Sequence, residues 1–166
     1  MNEEIKEILR YLEPRNDYVI CAGFAQYAHL GTPCSADIDI FIDTSETKKM
    51  ISADFEKKGW RKFRSYPYLD SFEKDETTFD ILYSEDASKN YFPDTVVIEV
   101  YSFRVKVLSK EALFLMKLSQ LFWDERTEEK RRRDWVGVNS LKLLIDTKKV
   151  KNLIGKMPDS FWRLES

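Results

Sequence analysis

Cysteine and histidine are scarce in this chain. Two cysteines, Cys21 and Cys34, and a single histidine, His29, are spread over 166 residues, with no Cys-x-x-Cys pair. A zinc site of the Cys/His kind is therefore nearly excluded, and the chain reads as a reduced protein. Long apolar runs are missing too, since none approaches the ~20 residues that a membrane-spanning helix needs. The opening MNEEIKEILRYLEP is acidic and amphipathic, without the basic-then-apolar order of a signal peptide. Nor is there a large excess of one charge. The 27 Lys and Arg residues against 29 Asp and Glu leave a net charge of −2, too balanced to coat DNA or an acidic membrane through bulk charge. A soluble, cytoplasmic chain with no membrane partner is expected.

What is present suffices for a core, with 43% hydrophobic and 14% aromatic residues. Ile5, Ile8, Leu9 and Leu12 recur at helical spacing, and Pro14 ends that helix. YVICA (18–22) reads as a buried strand running into Gly23, and 24–30 as a short helix closed by Gly31. DIDIFID alternates as a strand, and Ser45 is placed to cap a helix over 46–58. WRKFRSYP, TTFDILYS, TVVIEVYSF and RVKVL read as further strands. Ser109 then caps KEALFLMKLSQLFW, a second helix covers about 125–145, and a shorter one 148–156. The shift near Leu108 predicts an α/β core over residues 1–108. C-terminal helices over 109–166 would pack on it as one compact unit.

Two aspartates stand where a strand ordinarily excludes them. Alternation sends Asp37 and Asp39 to one face of DIDIFID and Ile38 and Ile40 to the other. Two residues of rise set the acids roughly 6–7 Å apart, where like charges repel unless a cation lies between them. Oxygen-rich carboxylate sites suit Mg2+, with Mn2+ as a substitute. Asp80 repeats the pattern between Phe79 and Ile81. Two acids at i and i+2 with a third on a neighbouring strand meet the needs of two-metal phosphoryl transfer. Asp80 is then the natural base for an attacking hydroxyl. The bland alternative is a solvated strand face, or edge charges that block aggregation.

These elements together resemble the nucleotidyltransferase superfamily that contains DNA polymerase beta. That family joins an apolar strand, a Gly followed by Gly or Ser, a short helix, a strand with Asp-x-Asp and a third acid on a later strand. VICAGF, AQYAHL, ADIDIF and TTFDIL occupy those places here. The C-terminal helices are similar to the abortive-infection toxin branch, the AbiEii-like proteins, through Lys117 in LFLMKLSQL and Asp134 in KRRRDWVGV.

The resemblance implies an α/β (α+β) fold with a mixed sheet flanked by helices and a C-terminal helical part. It implies Mg2+-dependent transfer of an NMP from an NTP to a hydroxyl, with Asp37, Asp39 and Asp80 as metal-holding, catalytic acids. Gly23, Phe24, Ser35, Lys117 and Asp134 would serve the nucleotide, and an RNA, a protein or a small molecule would accept it. A cognate antitoxin is the partner that the toxin branch adds. Two departures from the family favour an alternative, an inactive binding module. Phe24 stands where relatives carry Gly or Ser, and Pro33 and Ser35 where many carry Arg and Thr.

The remaining residues have plainer readings. Lys117 and Asp134 lie on apolar stripes, so they either pair as a structural bridge or serve the phosphates. His29 reads as a packed or solvent-facing side chain rather than a ligand, and Cys21 as a small core residue. In ERTEEKRRRD, Glu128 with Arg132 and Glu129 with Arg133 read as i,i+4 pairs, leaving RNA contact by 131–133 the lesser reading. WRKFRSYPYLDSF reads as an alternating strand with one buried side rather than a base-stacking surface.

Overall fold

The computed structural model describes residues 3–32, 36–83 and 94–156. Their contacts divide the chain into two units, Met1–Leu108 and Ser109–Ser166.

In the first unit, α1 (Glu3–Leu12) buries Ile5, Ile8, Leu9 and Leu12 as their spacing requires. It precedes β1 (Tyr18–Cys21), α2 (Ala22–Leu30), β2 (Asp37–Ile42) and α3 (Ser45–Lys57). Strands β3 (Arg61–Tyr66), β4 (Leu69–Lys74), β5 (Thr77–Tyr83), β6 (Thr95–Val100) and β7 (Phe103–Leu108) complete it. All seven form one mixed sheet in the order β3-β4-β5-β2-β1-β7-β6. β2 pairs parallel with β5 and β1 parallel with β7, while the other neighbours are antiparallel. Central β1 is buried at every position, whereas β2 alternates as its sequence does.

Several boundaries differ from expectation. Thr44, not Ser45, caps α3, its hydroxyl accepting from the Thr47 amide at 3.0 Å. Helix α2 starts at Ala22, so Gly23 lies inside its first turn. Gly31 closes α2 as expected, at φ 74°. Strand β4 was not foreseen as a strand separate from β3. LDSFEK is poor in β-formers, yet it sits between β3 and β5 with Asp70, Ser71 and Phe72 buried.

Asp70 explains how β4 tolerates polarity. Its carboxylate accepts from Ser52 of α3 and Ser65 of β3, each at 2.7 Å, and meets the Lys48 ammonium at 3.3 Å. Lys48 also donates to the Tyr66 carbonyl at 2.7 Å. Beside this network Phe55 packs on Phe79 with ring centroids 4.5 Å apart, and also on Tyr11, Trp60 and Phe72. Helix α3 is thus fixed to the sheet by an aromatic cluster and a buried ion pair.

In the second unit, α4 (Lys110–Gln120), α5 (Glu128–Lys142) and α6 (Thr147–Ile154) begin at the caps Ser109, Thr127 and Asp146. Glu111 of α4 accepts from the Asp146 amide at 3.0 Å and meets Lys149 at 3.3 Å, tying α6 to α4. No helix among the described residues is long and apolar enough to cross a membrane.

Burial alone would raise the Asp70 pKa, but hydrogen bonds from Ser52 and Ser65 and the charge of Lys48 outweigh it and hold it below the ordinary value. A depressed folded pKa stabilises above the unfolded value, near 4, and that contribution is lost as pH falls through the folded one. Thermal melts from pH 7 to pH 2 should therefore show wild type losing stability below about pH 4. Asp70→Asn should melt lower at pH 7 and lack this component of the acid loss.

Candidate active site

The chain leaves β1 through a strained elbow. Cys21 stands at the α2 N-cap without a capping hydrogen bond from its side chain, and Ala22 takes φ 52°. That left-handed value costs a residue with a Cβ roughly 1–2 kcal/mol. The helix therefore opens with amides that no capping side chain satisfies. Gly23 lies in this first turn, while Phe24 is fully buried with its ring edge-on to Tyr27 at 5.7 Å. With its ring in the core, Phe24 has its backbone to offer at this turn. Cys21 is a buried core residue, as expected, and its thiol donates to the Asp39 carbonyl at 3.4 Å.

The acids meet through sheet register. In the parallel β2–β5 pair Asp39 is opposite Asp80, and Asp37 is opposite Thr78. Partners in register present side chains to the same face, so Asp37, Asp39 and Asp80 share one face. Ile38, Ile40, Phe79 and Ile81 are buried on the other. Asp37 is exposed and the other two acids are half-buried. Thr78 donates to Asp37 Oδ1 at 2.7 Å. Ser71 of β4 lies opposite Asp80 on its other side and is fully buried, its hydroxyl without a hydrogen-bond partner among the described residues. Neither Thr78 nor Ser71 was picked out from sequence. The available signal for Thr78 was its place two residues before Asp80, hence on the same face.

Hard carboxylate oxygens on one face are the donor set that Mg2+ or Mn2+ takes, so the chemistry of these residues fits a divalent ion. Among the described residues no three Asp, Glu, His or Cys side chains are gathered closely enough to form a metal cluster. The shared face is set by backbone register.

This arrangement of sheet, elbow and acids invites comparison with solved structures. The crystal structure of ANT(2″)-Ia in complex with adenylyl-2″-tobramycin matches with TM-score 0.68 and 19% identity, over 91% of this chain and 92% of that one. The lincomycin-bound lincosamide antibiotic adenylyltransferase LnuA matches with TM-score 0.60 and 18% identity, over 85% and 98%. An antigenic nucleotidyltransferase-like protein from Paracoccidioides brasiliensis matches with TM-score 0.62 and 14% identity, over 98% and 92%. The chain shares its fold with these proteins. No family model and no curated protein matches the chain.

The other candidates on this fold fall into two groups. Ser35 and Pro33 lie outside the described residues. Lys117 and Asp134 are both buried in the second unit, and their charged atoms lie 3.6 Å apart. Arg126, which sequence reasoning missed, approaches Asp134 more closely, at 2.6 Å. The bridge between Lys117 and Asp134 is therefore present, with Arg126 as a third member. His29 donates through Nε2 to the Leu108 carbonyl at 2.8 Å, a packed structural role as expected. Arg132 and Arg133 pair with Glu128 and Glu129 at 3.8 and 3.5 Å, the i,i+4 pattern read from the sequence.

Two stability measurements follow from this geometry. Ala22→Gly should raise the urea-unfolding free energy by about 0.5–1 kcal/mol, released strain outweighing added chain entropy, while Ala22→Val lowers it. Asp134→Ala removes the carboxylate from two cations and should cost about 3–5 kcal/mol in the same experiment.

Proposed function

We propose that the chain is a divalent-metal-dependent nucleotidyltransferase that moves an NMP unit from an NTP to a hydroxyl acceptor. The observation that carries this reading is Asp39 opposite Asp80 in adjoining parallel strands, with Asp37 on the same face. It is supported by the uncapped start of α2 near the end of β1, where Cys21 is the register partner of Asp39. Helix N-termini present amides and a partial positive charge to phosphate.

The assignment of roles follows. Asp37, Asp39 and Asp80 would hold the ion, which supplies charge neutralisation between carboxylates and triphosphate when bound. The Gly23 and Phe24 amides face phosphate oxygens, and the absence of a side chain at Gly23 allows close approach. Thr78 fixes the orientation of Asp37. Asp80 accepts the proton of the acceptor hydroxyl as its oxygen attacks the α-phosphorus. The new P–O bond forms, the bond to the bridging oxygen breaks, and pyrophosphate leaves. Ser35 would add a hydroxyl contact. Lys117, held by Asp134, would add a point charge for the phosphates. Those last two helical positions also carry the likeness to the toxin branch, for which a cognate antitoxin is the added partner. Burial of the Phe24 ring weighs against one of the two sequence arguments for an inactive binding module.

Calorimetry with NTPs tests the reading. Wild type should bind an NTP in the presence of Mg2+, and the Asp37→Asn/Asp39→Asn double variant should not. Asp80→Asn should keep most of the affinity while transfer falls by about 10²–10⁴-fold. Folded wild type that binds no NTP at any Mg2+ concentration would overturn the proposal.

A further inference from the structure

The buried side expected of WRKFRSYPYLDSF is confined to Trp60 and to Asp70, Ser71 and Phe72 of β4, and is missing from β3. β3 is an edge strand with five of its six residues exposed and the sixth half-buried. Phe63, Tyr66 and Tyr68 are 38%, 49% and 59% exposed. Residues 61–66 therefore do not follow the alternation of an ordinary half-buried strand.

The reason is a one-residue irregularity. Lys62 pairs with Phe72 and Arg64 with Ser71, so Phe63 is inserted between them as a bulge. Lys62 lies toward α3, its ammonium 2.7 Å from Glu56 and 5.4 Å from the centre of the Phe72 ring. Ser65 faces the same way, bonding Asp70. Arg64 and Tyr66 consequently belong to the opposite face. Register then runs from Arg64 to Ser71, to Asp80 and to Asp39 in one row across four strands. The next row on that face runs from Tyr66 to Leu69, to Leu82 and to Phe41.

This face carries specific chemistry beside the acids. Arg61 is paired with Glu73 and Lys62 with Glu56. Arg64 makes no ion pair among the described residues, and its guanidinium lies 5.4 Å from the centre of the Phe63 ring. The Tyr66 and Tyr68 rings are stacked, 5.7 Å between centroids and 10° between planes, and both are open to solvent. Arg64 is two strand spacings from Asp80, about 10 Å, and Tyr66 one further step of about 6–7 Å along the edge. Parallel exposed rings next to a cation offer stacking and a phosphate contact together.

Resting on the transfer reading above, we infer that β3 and the following turn form the acceptor platform, and that the acceptor is a single-stranded polynucleotide end. Its terminal hydroxyl lies at Asp80, a phosphate near the terminus meets Arg64, and the bases behind it stack on Tyr66 and Tyr68. Charge complementarity selects this occupant. A polyamine acceptor such as tobramycin gains nothing from Arg64, whereas a strand with phosphates and planar bases uses both features.

The test is fluorescence anisotropy with a labelled ten-nucleotide oligoadenylate, in ribo and deoxyribo forms, alongside NTP calorimetry on the same protein. Circular dichroism checks that each variant folds. Wild type should bind at least one form. Tyr66→Ala/Tyr68→Ala should bind about tenfold or more weakly, Tyr66→Phe/Tyr68→Phe should bind as wild type, and all should keep NTP affinity. Arg64→Gln should flatten the salt dependence by about 0.7 in log–log slope, one phosphate's worth. Wild type that binds NTP but neither oligonucleotide overturns the acceptor inference and leaves the transfer reading standing. So does binding that the Tyr→Ala pair leaves unchanged, or a dimer that this pair dissociates without any oligonucleotide binding. Oligonucleotide binding without NTP binding sinks the transfer reading, and the acceptor role with it.

Discussion

Like charges forced onto one surface are the constraint around which the first unit is arranged. Asp39 and Asp80 are brought side by side by parallel pairing of β2 with β5, with Asp37 a step away. The sheet accepts this because the reverse side of both strands is apolar and fully buried. Ile38, Ile40, Phe79 and Ile81 contribute roughly 1.5–3 kcal/mol each on burial, enough to fix register against the repulsion opposite. A slip of one residue would bury the acids and expose the isoleucines. The acids' common face and the integrity of the core are therefore one requirement.

A fourth strand acid clarifies what distinguishes these three. Asp70 is also in the sheet, but on the α3 side, where two hydroxyls and an ammonium surround its carboxylate. It is fully occupied in holding a helix. Placement by the period-two alternation of strands, rather than residue type, separates a structural acid from a candidate catalytic one.

Much of this was legible because apolar periodicity reports burial directly. The α1 stripe, the alternation of DIDIFID and the caps at Gly31 and Ser109 are all local signals. Register is not local. Nothing within DIDIFID or TTFDILY states that they are neighbours, so the pairing of Asp39 with Asp80 needed the fold. LDSFEK escaped notice because its residues disfavour strands one by one, and only partners on both sides and on α3 make them acceptable. The strain at Ala22 and the approach of Arg126 to Asp134 were equally silent. The first depends on a dihedral angle that composition does not encode, and the second on the turn that brings residues eight apart together.

The extra residue at Phe63 has a consequence for the face that β3 presents. Were Phe63 to take a place in the ladder instead of bulging from it, every residue C-terminal to it in β3 would change face. Arg64 and Tyr66 would turn toward α3, and Ser65 would turn away from Asp70. None of Asp37, Asp39 or Asp80 would move. On the proposed reading, what the protein selects and what chemistry it performs are thus written on different strands, and an irregularity at the sheet's margin sets the first without touching the second.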